Sequence, residues 1–312
     1  MKIVKASLDL GNSMLKGATY IDSKAIVCKL PNKIQFNKTV NPKARVFEMD
    51  GNIMYVGVGK LNNNVLKHTR KYLLEQALVM IHELYPNDSE LKVDLKLGLP
   101  PEQLFNDSYL KEYENLFPTS KVFNYSVGGT SKKVTINSVE VFAEGYSAFV
   151  NLVNEITSKQ DIISIDVGGG TTDLCNYSWD YEDEMYYPDE TDTIKKGIID
   201  FSEEIAKYFN NKESADIQKE FIDNLLKNDI EVIEYEGKEF KLNDYLVALN
   251  PIIDDMMNDI TNKFGKLDRY IVVGIGGGYK TFNRMINNQI KKEIEIDSEK
   301  QFYANALGYL EQ

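Results

Sequence analysis

Asp9, in Asp9-Leu10-Gly11-Asn12-Ser13, and Asp166, in Asp166-Val167-Gly168-Gly169-Gly170-Thr171-Thr172-Asp173, each close an apolar, β-branched run and open a glycine turn. Glycine lets backbone N–H groups reach phosphate oxygens without side-chain obstruction, and a carboxylate at the strand's end can hold a hydrated cation. Mg²⁺ keeps several waters and takes phosphates directly, so Asp9 and Asp166 are expected to serve it mainly through water. One such turn is ordinarily a structural hairpin. Two of them, one per half, predict loops gripping one phosphate chain from opposite sides.

Further candidates follow in chain order. Glu144, in Phe142-Ala143-Glu144-Gly145-Tyr146, reads as the opening of a helix, where an acid is favoured by the macrodipole and could also orient an attacking water. Glu203, Glu204 and Lys207 open a helix after Gly197, where an exposed face is the default explanation and the border of a base pocket the alternative. Gly276, Gly277 and Gly278 follow an apolar strand and allow close approach of a phosphate or flat ligand. The stretch from Gly274 to Thr281 falls one residue short of a P-loop, because Tyr279 stands where the second glycine belongs; a dinucleotide fingerprint fails at the same residue. The acidic run from Asp180 to Asp192 lacks calcium-loop spacing and predicts a solvated hairpin tip. His68 and His82 fall on one predicted helix without forming a ligand set.

The elements that must position these groups are legible as alternating periodicities. Strands are predicted over 3–30 with a turn at Gly11-Asn12, and over 43–58 with a hairpin at Asp50-Gly51-Asn52. Apolar spacing from Val65 to Tyr85 predicts a single amphipathic helix. Leu91 to Leu99 reads as a strand, Tyr109 to Phe117 as a helix, 121–142 as a hairpin around Gly128-Gly129, and Ala143 to Ile156 as a helix. The same grammar restarts at Asp161, with a largely helical acidic stretch over 200–264, a strand at Tyr270 and a closing helix over 301–310.

At 312 residues the chain exceeds the size at which a single core keeps growing, which predicts two lobes. Its 48 acidic and 36 basic residues give a formal charge of -12, which argues against direct nucleic-acid binding. The lysine pairs Lys132-Lys133, Lys195-Lys196 and Lys291-Lys292 read as dispersed, solvated charge. Cys28 and Cys175 form neither a metal motif nor a disulfide framework, so a reducing cytoplasm is expected. No apolar run approaches signal-peptide or spanning length, and no membrane association is expected.

With these motifs in hand, the chain resembles the actin, sugar kinase and heat-shock chaperone ATPase superfamily, and within it the bacterial actin-like proteins of the ParM type. Asp9 to Ser13 with Lys16 resemble the first phosphate motif, Ile165 to Asp173 the second, Gly276 to Gly278 the adenosine motif, and Ala304 to Gly308 the last connecting helix. Leu97-Gly98-Leu99-Pro100 resembles an element common in plasmid-borne and archaeal relatives. The resemblance implies an α/β actin-like ATPase fold of two lobes, each a mixed β-sheet flanked by helices with a smaller inserted subdomain. Domain I would cover 1–150 with its insertion at about 31–90, and domain II 151–312 with its insertion at about 195–268.

The resemblance also implies the roles. Asp9 and Asp166 correspond to the metal-proximal aspartates, and Glu144, with Asp166, to the catalytic pair. Gly11, Asn12, Ser13, Lys16, Gly168, Gly169, Gly170, Thr171, Thr172 and Gly276 to Gly278 correspond to nucleotide contacts, and Glu204 and Lys207 to the adenine side. Proline normally flanks the family's glutamate, whereas this chain has Ala143 and Gly145. The implied activity is hydrolysis of ATP, with GTP as the alternative, in the presence of Mg²⁺. It would be coupled to homopolymer filament dynamics and to plasmid segregation through a DNA-binding adaptor. A non-polymerising small-molecule kinase or phosphohydrolase of the same fold is the competing expectation.

Overall fold

The computed structural model describes residues 2–64, 66–152, 156, 158–294 and 296–312. It divides into two compact units, Met1–Glu155 with Tyr303–Gln312, and Ile156–Phe302. The C-terminal residues therefore pack with the first unit, whereas the sequence grouped them with the second.

In the first unit, β1 (Lys2–Leu10), β2 (Met14–Ile21) and β3 (Lys24–Pro31) form a meander, followed by the short strands β4 (Lys33–Gln35), β5 (Arg45–Met49), β6 (Asn52–Val56) and β7 (Lys60–Leu61). The helix α1 (Leu73–Leu84) leads to β8 (Glu90–Leu99), and α2 (Pro101–Leu104) and α3 (Asp107–Asn115) lead to the hairpin β9 (Val122–Val127) and β10 (Thr130–Ala143). Among the described residues these strands make one ten-stranded sheet in the order β3-β2-β1-β8-β10-β9-β5-β6-β4-β7. β1, β8 and β10 run parallel at its centre, where β8 is buried on both faces along its second half. The strands predicted as an insertion over 43–58 continue this sheet, since β5 pairs with β9 at Phe47↔Val127.

The helix predicted from Val65 starts later than its apolar spacing suggests. Val65 itself lies outside the described residues; Lys67–Thr69 form a 3-10 turn, and Tyr72 takes a left-handed conformation (φ 62°) before α1 begins at Leu73. Ala77 to Ile81 are all fully buried, so α1 is a core helix rather than a surface one. Lys132, expected in solvent, is buried and donates to the carbonyls of Tyr85, Pro86 and Asp88 just beyond α1. A cation is favoured there because the last helical carbonyls lack partners. α4 (Tyr146–Leu152) begins two residues after Glu144, which lies in the turn directly after β10 instead of opening a helix.

The second unit restarts with β11 (Ile162–Val167), β12 (Thr172–Asp180) and β13 (Met185–Ile194), and the acidic run predicted as a hairpin tip spans the tip and continues along β13. The helices α5 (Ile198–Glu213) and α6 (Lys219–Lys227) follow, then a hairpin of β14 (Val232–Tyr235) and β15 (Lys238–Lys241), and α7 (Asn250–Phe264). β16 (Ile271–Ile275), α8 (Tyr279–Ile286) and β17 (Glu293–Ile294) complete a sheet ordered β13-β12-β11-β16-β17. Phe201, Ile205, Phe209, Ile260 and Phe282 anchor its core on the helical side. The last helix, α9 (Ser298–Glu311), lies against the first unit from Tyr303 onward, where a Cβ on Gly98 would collide with the Tyr309 ring and one on Gly308 with Ser147. Among the described residues no helix is long and apolar enough to cross a membrane.

Candidate functional site

The antiparallel register of β1 and β2 sets Asp9 directly opposite Lys16, so both side chains leave the same face. Lys16 Nζ lies 2.9 Å from Asp9 Oδ2. Gly11 is required by the tightness of the turn, because a Cβ there would sit 2.8 Å from the Met14 carbonyl. Asn12 turns its side-chain oxygen to Arg70 at 2.7 Å. Ser13 Oγ is buried with no partner among the described residues, an orphaned hydroxyl of the kind a phosphate oxygen satisfies.

Two buried cations that the sequence reading passed over complete this region. Lys67 is 2% exposed, and its ammonium contacts Glu144 Oε1, the Gly98 carbonyl at 3.3 Å and Asp9 Oδ1 at 3.8 Å. The Arg70 guanidinium donates to the Leu10 carbonyl at 2.7 Å and to the carbonyls of Gly11 and Asn64. Both had been absorbed into the polar side of the predicted helix. One signal was available: Arg70 is one of only four arginines in a chain that otherwise uses lysine. Arginine's fixed fork serves several acceptors at once, as it does here.

Glu144 is held by its backbone, its amide donating to the Leu99 carbonyl at 2.9 Å, while the next amide, of Gly145, donates to Asn305 Oδ1. Burial raises the Glu144 pKa above its ordinary value, with Lys67 and Arg70 opposing and the Asp9 charge adding to the rise. Asp9 goes the other way. Burial pushes it up, but Lys16, Lys67 and Arg70 together hold it below its ordinary value. Burial also lowers Arg70 to about 10. The Tyr113 hydroxyl, buried without a partner among the described residues, is pushed up by burial and next by the Glu144 charge. The first unit thus holds one ionised carboxylate beside cations and one carboxyl whose charge depends on its neighbours.

In the second unit the equivalent strand pair sets Asp166 opposite Asp173. Asp173 is occupied, accepting from Thr193 Oγ1 at 2.7 Å and Thr171 Oγ1 at 3.2 Å. The Gly168 amide donates to the Thr171 carbonyl at 2.8 Å and closes the turn, and Thr172 Oγ1 donates to the Lys196 carbonyl. The first amides of α5 reach back to the turn: those of Ile198 and Ile199 donate to the Gly168 and Gly169 carbonyls at 3.0 Å each. The Gly276 to Gly278 segment packs on the same strand end. At Gly276 (φ 79°) a Cβ would strike Asp166 Oδ1, and at Gly278 it would lie 2.6 Å from Val167 Cγ1. The Tyr279 side chain fills the space over Gly274 where a phosphate-wrapping loop would need room.

Within this unit Asp166, Gly168 to Thr172 and Gly276 to Gly278 come together. Glu204 and Lys207 lie further along α5 as an exposed ion pair at 3.0 Å, with Glu203 bridging Lys207 and Lys219. In each unit a buried aspartate supplies hard oxygen ligands suited to Mg²⁺ and its waters beside a glycine turn suited to phosphate, so the residues of each unit fit part of a Mg²⁺ nucleotide.

The family model described as actin like proteins N terminal domain matches residues 7–146, and that described as archaeal actin homologue MreB-like, C-terminal, matches residues 164–292. No curated protein matches the sequence. The fold is similar to the crystal structure of Ta0583, an archaeal actin homologue, at 18% identity and TM-score 0.76, covering 99% of this chain and 98% of that one. A 15-stranded ParM filament from Clostridium botulinum is similar at 19% identity and TM-score 0.76, covering 100% and 99%. The AlfA filament from a B. subtilis plasmid is similar at 17% identity and TM-score 0.61, covering 99% and 98%. With one actin-homologue family model matching residues 7–146 and another matching residues 164–292, the chain belongs to the actin-like proteins.

Proposed function

We propose that this protein hydrolyses ATP to drive the assembly and turnover of a homopolymeric filament, and that the filament moves plasmid DNA through a DNA-binding adaptor. The observation that carries the nucleotide reading is the repeated strand-turn-strand. In each unit a buried aspartate ends a strand, a glycine turn follows, and the turn's carbonyls are bonded from behind. Self-assembly is supported by relatives solved as filaments, the ParM of Clostridium botulinum and AlfA. A nucleotide is supported by the archaeal homologue, which has been solved in complex with ADP.

In this reading Asp9 and Asp166 hold the hydrated Mg²⁺, and the turn amides with Ser13 and Lys16 hold phosphate oxygens. Gly276 to Gly278, Glu204 and Lys207 serve the adenosine side. Bound Mg²⁺ supplies neutralisation of phosphate charge. Glu144 orients the attacking water and accepts its proton, with Lys67 opposing the rise in pKa that burial imposes on that carboxyl. Little covalent chemistry is asked of the protein beyond this positioning.

Light scattering and sedimentation with ATP and Mg²⁺, alongside phosphate release, test the proposal. Glu144→Ala should still assemble while phosphate release falls at least about a hundredfold, in the range for loss of a general base. No assembly with ATP or a slowly hydrolysed analogue would sink the filament reading. Turnover stimulated by a metabolite without assembly would replace it with the kinase alternative.

A further inference from the structure

The two glycine turns solve one geometric problem by different means. A trans peptide sets each C=O antiparallel to the following N–H, so fixing a carbonyl on one side sends the next amide to the other. No cis bond occurs among the described residues. In the second unit the carbonyls of Gly168 and Gly169 are fixed by the first amides of α5. In the first unit no helix end is used, and side chains do this work.

Asn32 Nδ2 donates to the Gly11 carbonyl at 2.7 Å and the Asn12 carbonyl at 3.3 Å, while the Asn32 amide takes the Ser13 carbonyl at 2.9 Å. Arg70 takes the Leu10 carbonyl and a share of that of Gly11. Asn32 is itself locked. Its Oδ1 accepts from Gln76 Nε2 at 2.8 Å, Gln76 Oε1 accepts from Asn62 Nδ2 at 2.9 Å, and the Asn62 carbonyl accepts from Asn32 Nδ2 at 2.9 Å. Asn32 and Gln76 are both 0% exposed. Burying primary amides is costly unless every group is bonded, and a closed ring of bonds meets that condition while fixing one orientation. The consequence is that the amides of Asn12 and Ser13 face away from Asn32 and Arg70, next to a serine hydroxyl that has no partner among the described residues.

We propose that Asn32, oriented by Gln76, is a positioning residue for phosphate binding: it holds the first turn from behind so that the Asn12 and Ser13 amides meet a nucleotide's phosphate oxygens. This rests on the nucleotide reading above. Gln76 lies on α1 and Asn62 just after β7, so the segment between β3 and α1 sets the quality of the first phosphate turn.

Asn32→Asp replaces a donor by a carboxylate facing three carbonyls, and Gln76→Leu leaves Asn32 in place but frees its rotation. The second variant keeps the test informative if the first does not fold. Hydrogen exchange at the Asn32 backbone amide, which donates to the Ser13 carbonyl, should speed at least about tenfold in nucleotide-free Gln76→Leu, the factor expected for one lost hydrogen bond. Calorimetry should show ADP binding weakened by at least about tenfold, with adenosine, which lacks phosphates, changed less than about twofold. Unchanged exchange in the folded variants removes the clamp whatever binds. Equal weakening of ADP and adenosine assigns the residues to folding alone. Wild-type protein that binds no ADP overturns the nucleotide reading and the role in binding with it.

Discussion

Replacing Lys67 by methionine keeps most of the side-chain volume and removes a buried positive charge that touches Glu144 and lies 3.8 Å from Asp9. Asp9 retains Lys16 at 2.9 Å and the Arg70 charge, so it stays ionised. Glu144 retains only Arg70 among its opposing cations and still faces the Asp9 charge. Removing one partner of a buried pair costs about 3–5 kcal/mol, because the remaining charge is stranded. Glu144 can escape part of that cost by taking up a proton, at about 1.4 kcal/mol per unit by which the solution pH exceeds its ordinary value of 4.5.

The pH dependence follows from the direction of the shift. The folded pKa of Glu144 is raised above its ordinary value of 4.5, so between the two the folded form binds more protons and stability falls as pH rises. In Lys67→Met that window extends further upward. The variant's deficit relative to wild type should be small near pH 5 and should grow toward pH 8, with a slope of at most about 1.4 kcal/mol per pH unit. Asp9 has the opposite sign, losing its contribution only as pH falls below its ordinary 3.8, and does not interfere over this range. Urea midpoints followed by circular dichroism at several pH values measure the deficit, and Lys67→Arg, which keeps the charge, should recover part of it. Trp179, the chain's single tryptophan, lies in the second unit, so its fluorescence gives an internal reference that should move less. A deficit below about 1 kcal/mol, or one equal at pH 5 and pH 8, would refute the claim that Lys67 controls the charge of Glu144.

Gly276→Ala forces a Cβ against Asp166 at a left-handed φ of 79°, so calorimetry should find nucleotide affinity lost together with about 1–3 kcal/mol of stability. Ser13→Ala should leave the melting temperature unchanged or slightly raised, since the lost hydroxyl has no partner among the described residues, while ATP affinity falls about tenfold; a drop in melting temperature would show that the hydroxyl is bonded within the protein. Gly98→Ala places a methyl in the Tyr309 ring and should destabilise the first unit by about 1–3 kcal/mol, visible as faster hydrogen exchange in α9 from Tyr303 onward.

Local signals carried much of the fold into view. The Asp9 and Asp166 turns, the Gly128-Gly129 hairpin and the β16 glycine cluster are written in contiguous residues, because strand alternation and glycine turns are short-range properties. The start of α1 was misplaced because Lys67 and Arg70 satisfy helical spacing while their side chains are committed elsewhere, leaving a 3-10 turn and a left-handed Tyr72 before the helix. Lys132 was misread because a lysine's burial depends on which carbonyls it reaches, here those just beyond α1, far earlier in the chain.

By itself, the sequence determined that two glycine turns carry aspartates at strand ends, that Glu144 comes after the strand closing the first half, and that the chain is α/β in two parts. The tertiary structure decided which cations stand beside those acids. Lys67 meets Glu144 across 77 positions, Arg70 meets Leu10 across 60, and Asn32 meets Gly11 across 21. The charge on a buried carboxylate and the facing of a turn's amides depend on neighbours within a few ångströms, and those neighbours are chosen by the packing of α1 and its preceding loop against the sheet, not by spacing along the chain.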